Sequence, residues 1–214
     1  MAHRSLLSTV ALLALAVSGC GYFRSTEKLS EDVDLIAVLP LERDEPTAAN
    51  GTQTPRLEHG AEDVVTAQLY GVLSSSAHWR FVPDLTANDA LRKINRKSAM
   101  TDRAVQLGKA VKADAVLCGS VSRFVERIGS EYGASQPASV GFRLQLISAK
   151  TGAVLWQGEF EKTQEPLTSN LFNAWMFWRA GPRWFNATEL AHLGVESLLE
   201  QLDRQTNPSS STWW

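Results

Sequence analysis

From residue 34 onward the apolar positions change period several times, and each change predicts an element. Ile36-Ala37-Val38-Leu39-Pro40, inside the stretch 34–41, is an unbroken apolar run ending on a proline. Such a run predicts a strand covered on both faces. Residues 42–57 contain Pro46, Asn50, Gly51 and Pro55 and read as a loop. From Glu58 to Ser76 the spacing turns helical: Ala61, Val65, Leu69, Val72 and Leu73 share a face, with Glu62 and Gln68 off it. Trp79-Arg80-Phe81-Val82-Pro83 is a short second strand. Thr86 is placed to cap a helix running to about Arg96, with Asp89 three residues on as a capping-box-like acid. A further helix covers about Thr101 to Val111.

The period then falls to two. Asp114 to Ile128 reads as a third strand. Between Ser139 and Ser148, Val140, Phe142, Leu144 and Leu146 alternate with Gly141, Arg143 and Gln145. Lys150-Thr151-Gly152 makes a turn, and Val154, Trp156, Gly158 and Phe160 then share one face of a fifth strand, opposite Gln157, Glu159 and Glu161. Strands this close in sequence predict an antiparallel meander. Asn186 caps a last helix to about Arg204, with Glu189 three residues on. The order predicts an α/β domain of the α+β sandwich kind over residues 34–204: one mixed, partly antiparallel sheet of about five strands with helices packed on it.

The ends of the chain have a different pattern. His3 and Arg4 precede an apolar run, Leu6 to Val17, broken only by Ser8 and Thr9, and Ser18 and Gly19 then lead to Cys20. This is the layout of an export signal over residues 1–19, and its apolar run is shorter than the ~20 residues of a membrane span. Val17-Ser18-Gly19-Cys20 resembles a bacterial lipobox. The resemblance implies cleavage between Gly19 and Cys20, a diacylglycerol on the Cys20 sulfur, and a palmitate-class acyl chain on the new amino group. That lipid is the membrane anchor. Gly21, where an inner-membrane retention signal has Asp, implies the outer membrane of a Gram-negative host, periplasmic face. Residues 20–33 become the lipidated cysteine and a polar tether. Residues 205–214 read as a disordered tail ending in Trp213-Trp214, two indoles suited to a partner or a lipid interface or simply a chance end.

Composition narrows the class. Formal net charge is −2, with both signs interspersed; with no basic stripe, nucleic acid is not expected as a partner. With Cys20 acylated, Cys118 is the one thiol left, so no disulfide forms within the chain. Its apolar run, Ala115-Val116-Leu117-Cys118-Gly119, suggests a buried, inert group.

Ile36-Ala37-Val38-Leu39-Pro40, the helix of 58–76, Ala113-Asp114-Ala115-Val116-Leu117-Cys118-Gly119-Ser120-Val121 and Thr151-Gly152-Ala153-Val154-Leu155-Trp156 together resemble the curli-secretion lipoprotein (CsgG) family. They are also similar to the peptidoglycan-synthase activator LpoB and to the amino-terminal domain of TolB. The resemblance implies an anticodon-binding-like sandwich in a non-enzymatic protein that assembles envelope machines, builds export rings or activates wall synthases. Secretion pores of this group carry two long amphipathic hairpins. Here Gly129–Pro137 is a nine-residue loop, and residues 164–185 are interrupted by Pro166, Gly181 and Pro182, which points to a relative that is not a pore.

One segment stands apart. Trp175, Phe177, Trp178, Trp184 and Phe185 fall within eleven residues of a chain that is 8% aromatic, with Arg179 and Arg183 beside them. These seven residues are the candidate interface. Two readings put them in contact with something else, as a protein-docking patch or a membrane-interface wedge; a third packs them on the sheet as core.

Enzyme motifs are missing: there is no phosphate-cradling glycine loop, GxSxG, CxxC or HExxH. His59, His78 and His192 are far apart; His192 and Glu196 share a polar helix face with Glu189 and Glu200, which reads as solvated rather than metal-binding. Glu126, Arg127, Glu131 and Tyr132 read as a surface ion-pair cluster. No metal is expected, and no cofactor beyond the lipid. The first functional expectation is an accessory or assembly component of a secretion, polysaccharide-export or other envelope complex, as a homo-oligomer or bound to an envelope protein. The alternative is a periplasmic activator of a cell-wall synthase, against which the short tether counts: 13 residues span at most ~45 Å. An envelope hydrolase, a third reading, needs a nucleophile and base in one pocket.

Overall fold

Residues 35–39 lie at the centre of the fold, because their two faces meet two separate apolar layers. A computed structural model describes residues 33–44, 57–76, 79–164 and 183–206. The signal, Cys20, most of the tether, the loop of 45–56, Trp175, Phe177, Trp178, Arg179 and the tail from 207 lie outside the described residues.

The elements in chain order are β1 (Leu35–Val38), β2 (Glu42–Arg43), α1 (Ala61–Ser75), β3 (Arg80–Phe81), α2 (Asp84–Leu91), α3 (Met100–Val111) and β4 (Ala115–Val125). Then follow β5 (Ile128–Ser130), β6 (Gly133–Gln136), β7 (Ser139–Ser148), β8 (Val154–Thr163) and α4 (Ala187–Thr206). The main sheet has six strands in the order β3-β1-β4-β7-β8, with β2 also pairing β4. Its first part is parallel, and β4, β7 and β8 form the expected antiparallel meander, with Leu117 opposite Leu146 and Leu146 opposite Trp156.

On one face Ile36, Val38, Leu117, Phe142, Leu144 and Trp156 pack against α1 and α4. On the other, Ala37, Leu39, Val116, Cys118 and Ile147 pack against α2 and α3. The rest of that second face is polar. Arg143 pairs with Glu159 at 3.3 Å, and Arg123 reaches across Gly141 to Glu161 at 2.6 Å. The fold is thus the mixed α+β sandwich that the alternation predicts.

Several boundaries move for local reasons. The helix expected after Thr86 starts at Asp84, because Pro83 has no N–H to give, its φ of −55° suits a helix start, and its carbonyl accepts the Ala87 N–H at 3.1 Å. Asp89 caps nothing and faces Arg92 at 3.8 Å. That helix ends at Leu91 rather than near Arg96, and Asn95 then turns the chain through its side chain, which accepts the Lys97 N–H at 3.0 Å. The expected loop of 42–57 contains the two-residue strand β2, tied down by an ion pair between Glu42 and Arg103. The strand expected to run to Ile128 stops at Val125, and the nine-residue loop is a small antiparallel hairpin, β5–β6. Val154 does not share the buried face of Trp156: a register shift at Leu146/Ile147 leaves it 50% exposed.

The sheet has two distinct ends. At one, the Asp114 carboxylate accepts the N–H groups of Asp34 and Leu35 at 3.2 and 3.0 Å, and its carbonyl accepts the Ala149 N–H. At the other lie the end of β4, the β5–β6 hairpin and the end of β8. α4 starts beside the hairpin and runs back along β8, passing Phe160 at Gly194 and Gly158 at Leu198. Val33 and Thr206 therefore lie at the end opposite the hairpin. A ten-residue strand such as β8 spans about 33 Å.

Candidate functional site

At the hairpin end, side chains far apart in sequence join the start of α4 to β4 and β8. Glu126, just past β4, does most of this. Its N–H donates to the Glu58 carboxylate at 3.0 Å, and its own carboxylate accepts the Arg127 N–H at 2.8 Å. Both carboxylate oxygens also accept the Ala187 N–H, at 3.1 and 3.2 Å. A negative charge at a helix N-terminus is favourable. Asn186 and Glu189 complete the cap reciprocally: the Asn186 side chain accepts the Glu189 N–H at 2.7 Å, and the Glu189 carboxylate accepts the Asn186 N–H at 3.0 Å. This is the capping box that their spacing predicts.

Arg183 lies 2.8 Å from Glu189 and 3.8 Å from Glu131, with its guanidinium carbon 5.3 Å from the centre of the Phe185 ring. Burial pushes the Glu189 carboxyl upward. The Arg183 hydrogen bond, the Asn186 N–H and the charges of Arg183 and Arg127 outweigh it and hold the group below its ordinary value of 4.5. The backbone of Trp184 is gripped on both sides: its N–H donates to the Glu131 carbonyl at 2.7 Å, and its carbonyl accepts from the Arg127 guanidinium.

Gln164 closes the network. It is 2% exposed. Its side-chain nitrogen donates to the Arg183 carbonyl at 2.9 Å, its side-chain oxygen accepts the Phe185 N–H at 2.7 Å, and its backbone N–H donates to Ala138 at 3.0 Å. Residues on the two sides of 165–182, Gln164 and Arg183–Phe185, are thereby joined at one point.

Of the candidate interface residues, Phe185 takes the core alternative: it is 1% exposed and packs with the layer under α4. Its ring is thus removed from the contact candidates, because a ring seated in the apolar layer has nothing to offer a partner. Arg183 and Trp184 are half-exposed. Glu126, Arg127 and Glu131 do form a bonded cluster, and each has a structural partner. Tyr132 and Ile128 of the hairpin are 82% and 56% exposed, two of the four exposed large apolar side chains among the described residues. Sequence reasoning missed Gln164: a single polar residue after a strand carries no periodic or motif signal.

The polar helix pair has a packing role. His192 meets Gln68 of α1 at 3.0 Å across the α1–α4 contact, and Glu196 one turn on in its own helix at 3.5 Å. Among the described residues no group of three or more His, Cys, Asp or Glu is arranged to hold a metal ion, and no helix is long and apolar enough to cross a membrane. Ser122 and Glu161, 3.1 Å apart on the polar sheet face, are a hydroxyl–carboxylate pair. The same Glu161 carboxylate is paired with the Arg123 guanidinium. Two shallow depressions, of about 440 and 560 Å³, lie along α3, one beside the β7–β8 turn and the other against α2, away from the hairpin.

Residues 58–161, from before α1 to late β8, match the family model of the peptidoglycan-synthase activator LpoB. This part of the chain is LpoB-like. No curated protein matches the chain. Among solved structures, the C-terminal domain of LpoB from Salmonella enterica is 16% identical, covering 62% of this chain and 84% of that one, with a TM-score of 0.40. Lipoprotein GNA1162 from Neisseria meningitidis is 17% identical over 80% of this chain and 99% of its own, with a TM-score of 0.47. The PelC dodecamer from Paraburkholderia phytofirmans is 19% identical over 79% and 87%, with a TM-score of 0.41.

Proposed function

We propose that this chain is a non-enzymatic lipoprotein, anchored through Cys20 in the outer membrane, that activates a peptidoglycan synthase from the periplasm. The observation that carries the reading is the match of residues 58–161 to a family of peptidoglycan-synthase activators. It favours the activator over the secretion or export component that the sequence placed first. The lipobox-like Val17-Ser18-Gly19-Cys20 supports the anchor. The non-enzymatic reading rests on the same likeness to an activator family.

The short tether is less of an obstacle than it first looks. Thirteen residues reach ~45 Å when extended. The domain adds about 30 Å between its tether end and its hairpin end. The direct test is calorimetric titration of a soluble form lacking residues 1–20 into the periplasmic part of a peptidoglycan synthase from the same cell. Saturable binding is expected, and no binding at micromolar protein would reject the activator reading.

A further inference from the structure

The β5–β6 hairpin contributes nothing to either apolar layer. All three residues of β5 are exposed, and β6 alternates between exposed and half-exposed. Among the described residues it pairs only with itself, as a separate two-stranded sheet. Yet it is held firmly. Gly129 adopts φ of +116°, and a Cβ there would lie 2.5 Å from the Gly133 carbonyl oxygen, so the turn closes only on glycine. Ser130 accepts the Tyr132 N–H at 3.3 Å, Ser135 donates to the Ile128 carbonyl at 3.2 Å, and Gln136 donates to the Glu126 carbonyl at 3.2 Å. The Glu131 carbonyl takes the Trp184 N–H, and its carboxylate faces Arg183. On this fixed frame Tyr132 and Ile128 point to solvent.

We infer that the β5–β6 hairpin is the element that docks on the partner, with Tyr132 and Ile128 as its contact side chains, and that the partner is a folded periplasmic protein domain. This rests on the activator reading above. Exposed apolar groups on a frame fixed in advance lose little conformational freedom on binding, the condition under which a small contact becomes a strong one. A tyrosine is well suited to it, offering a large apolar ring with a polar tip. Glu131, whose side chain hydrogen-bonds Tyr132, and Arg183, paired with Glu131, lie beside the tyrosine, in keeping with a polar rim to the contact.

The attachment of the tether selects the occupant. The chain enters the domain at Asp34, beside Asp114, at the opposite end of the sheet from the hairpin. With lipid at Cys20, the hairpin is the part of the domain that can stand farthest from the anchoring membrane. It is poorly placed to lie on that surface and well placed to meet a protein reaching toward it from the other side of the periplasm.

The test compares three soluble proteins lacking residues 1–20: the parent, Ile128→Ser with Tyr132→Ala, and Leu85→Ser, which alters an exposed side chain on α2. Each is titrated into the periplasmic part of the host synthase, mixed with anionic phospholipid vesicles, and sized by light scattering. The hairpin variant is expected to melt with the parent, since both side chains are exposed, and to bind the synthase at least tenfold more weakly. Leu85→Ser should bind as the parent does. Full synthase affinity in the hairpin variant overturns the inference and leaves the activator reading standing. So does loss only of vesicle binding, or only of self-association, in that variant. A parent that does not bind the synthase removes the activator reading, and the inference falls with it.

Discussion

The side-chain amide of Gln164 holds the backbone of Phe185: its oxygen accepts the Phe185 N–H at 2.7 Å while its nitrogen donates to the Arg183 carbonyl at 2.9 Å. The residue after β8 thereby holds the last residues of the aromatic segment, just before α4. Replacing Gln164 by Leu keeps the bulk and strands two backbone groups in a site only 2% open to water. Leaving buried groups unsatisfied costs about 1–3 kcal/mol each. Gln164→Leu should therefore lower the urea unfolding free energy by at least about 2 kcal/mol. An unchanged midpoint would show that the clamp is dispensable.

At Gly119 the neighbouring strand leaves no room for a side chain. A Cβ built there falls 1.9 Å from the Arg143 carbonyl oxygen and 3.2 Å from the Leu144 Cα, both backbone atoms. The ladder cannot yield as a flexible side chain would. Gly119→Ala should destabilise by about 3 kcal/mol or more, at the top of the range for overpacking, as read by thermal unfolding. Gly71→Ala, where a Cβ meets nothing within 4 Å, is the control and should be neutral or slightly stabilising.

Acid should unfold the domain partly through the start of α4. Glu189 titrates below 4.5 in the folded state, and Asp114, held by the Leu35 and Asp34 N–H groups, below 3.8. A folded pKa lower than the unfolded one contributes stability that is present above the unfolded value and lost as pH falls through the folded one. Urea midpoints should thus be level near neutrality and fall below about pH 4.5. Glu189→Gln, which can still complete a capping box, should flatten that slope. An identical slope in the variant would remove Glu189 as a contributor.

The cysteines report on the anchor and the core together. Burial, with Glu42 nearby, pushes the Cys118 thiol up to about 12, and its sulfur donates to the Gln145 carbonyl at 3.6 Å. With Cys20 acylated, protein extracted from membranes should show no thiol reactive toward a disulfide reagent when native and a single one when denatured. A second thiol on denaturation would contradict lipidation. Fast reaction in the native state would contradict the burial of Cys118.

What was legible in the sequence was whatever repeats along it. The alternation of Val140 through Leu146, the helical spacing from Ala61 to Leu73, and the three-residue spacing of Asn186 and Glu189 all have a period tied to one element, and each appears in the structure. Gly129 to Pro137 reads as a loop because no residue of the β5–β6 hairpin is buried, so it carries no apolar alternation. β2 has two residues, too few for any pattern. The bonds of Glu126 to Ala187 and of Gln164 to Phe185 join residues 61 and 21 positions apart, and long-range contacts between a side chain and the backbone leave no trace in local spacing. Glu126 and its neighbours were legible as a cluster, but not as the cap of a helix that begins so far along the chain.

The central claim is that the protein acts on a peptidoglycan synthase. The most direct measurement is the rate at which the host synthase, in detergent micelles, polymerises its lipid-linked disaccharide precursor as the form lacking residues 1–20 is added. The account predicts a rate that rises with added protein and saturates near stoichiometric amounts, while the protein alone converts nothing. A synthase rate that stays flat through a large molar excess, or turnover by the protein by itself, would contradict it.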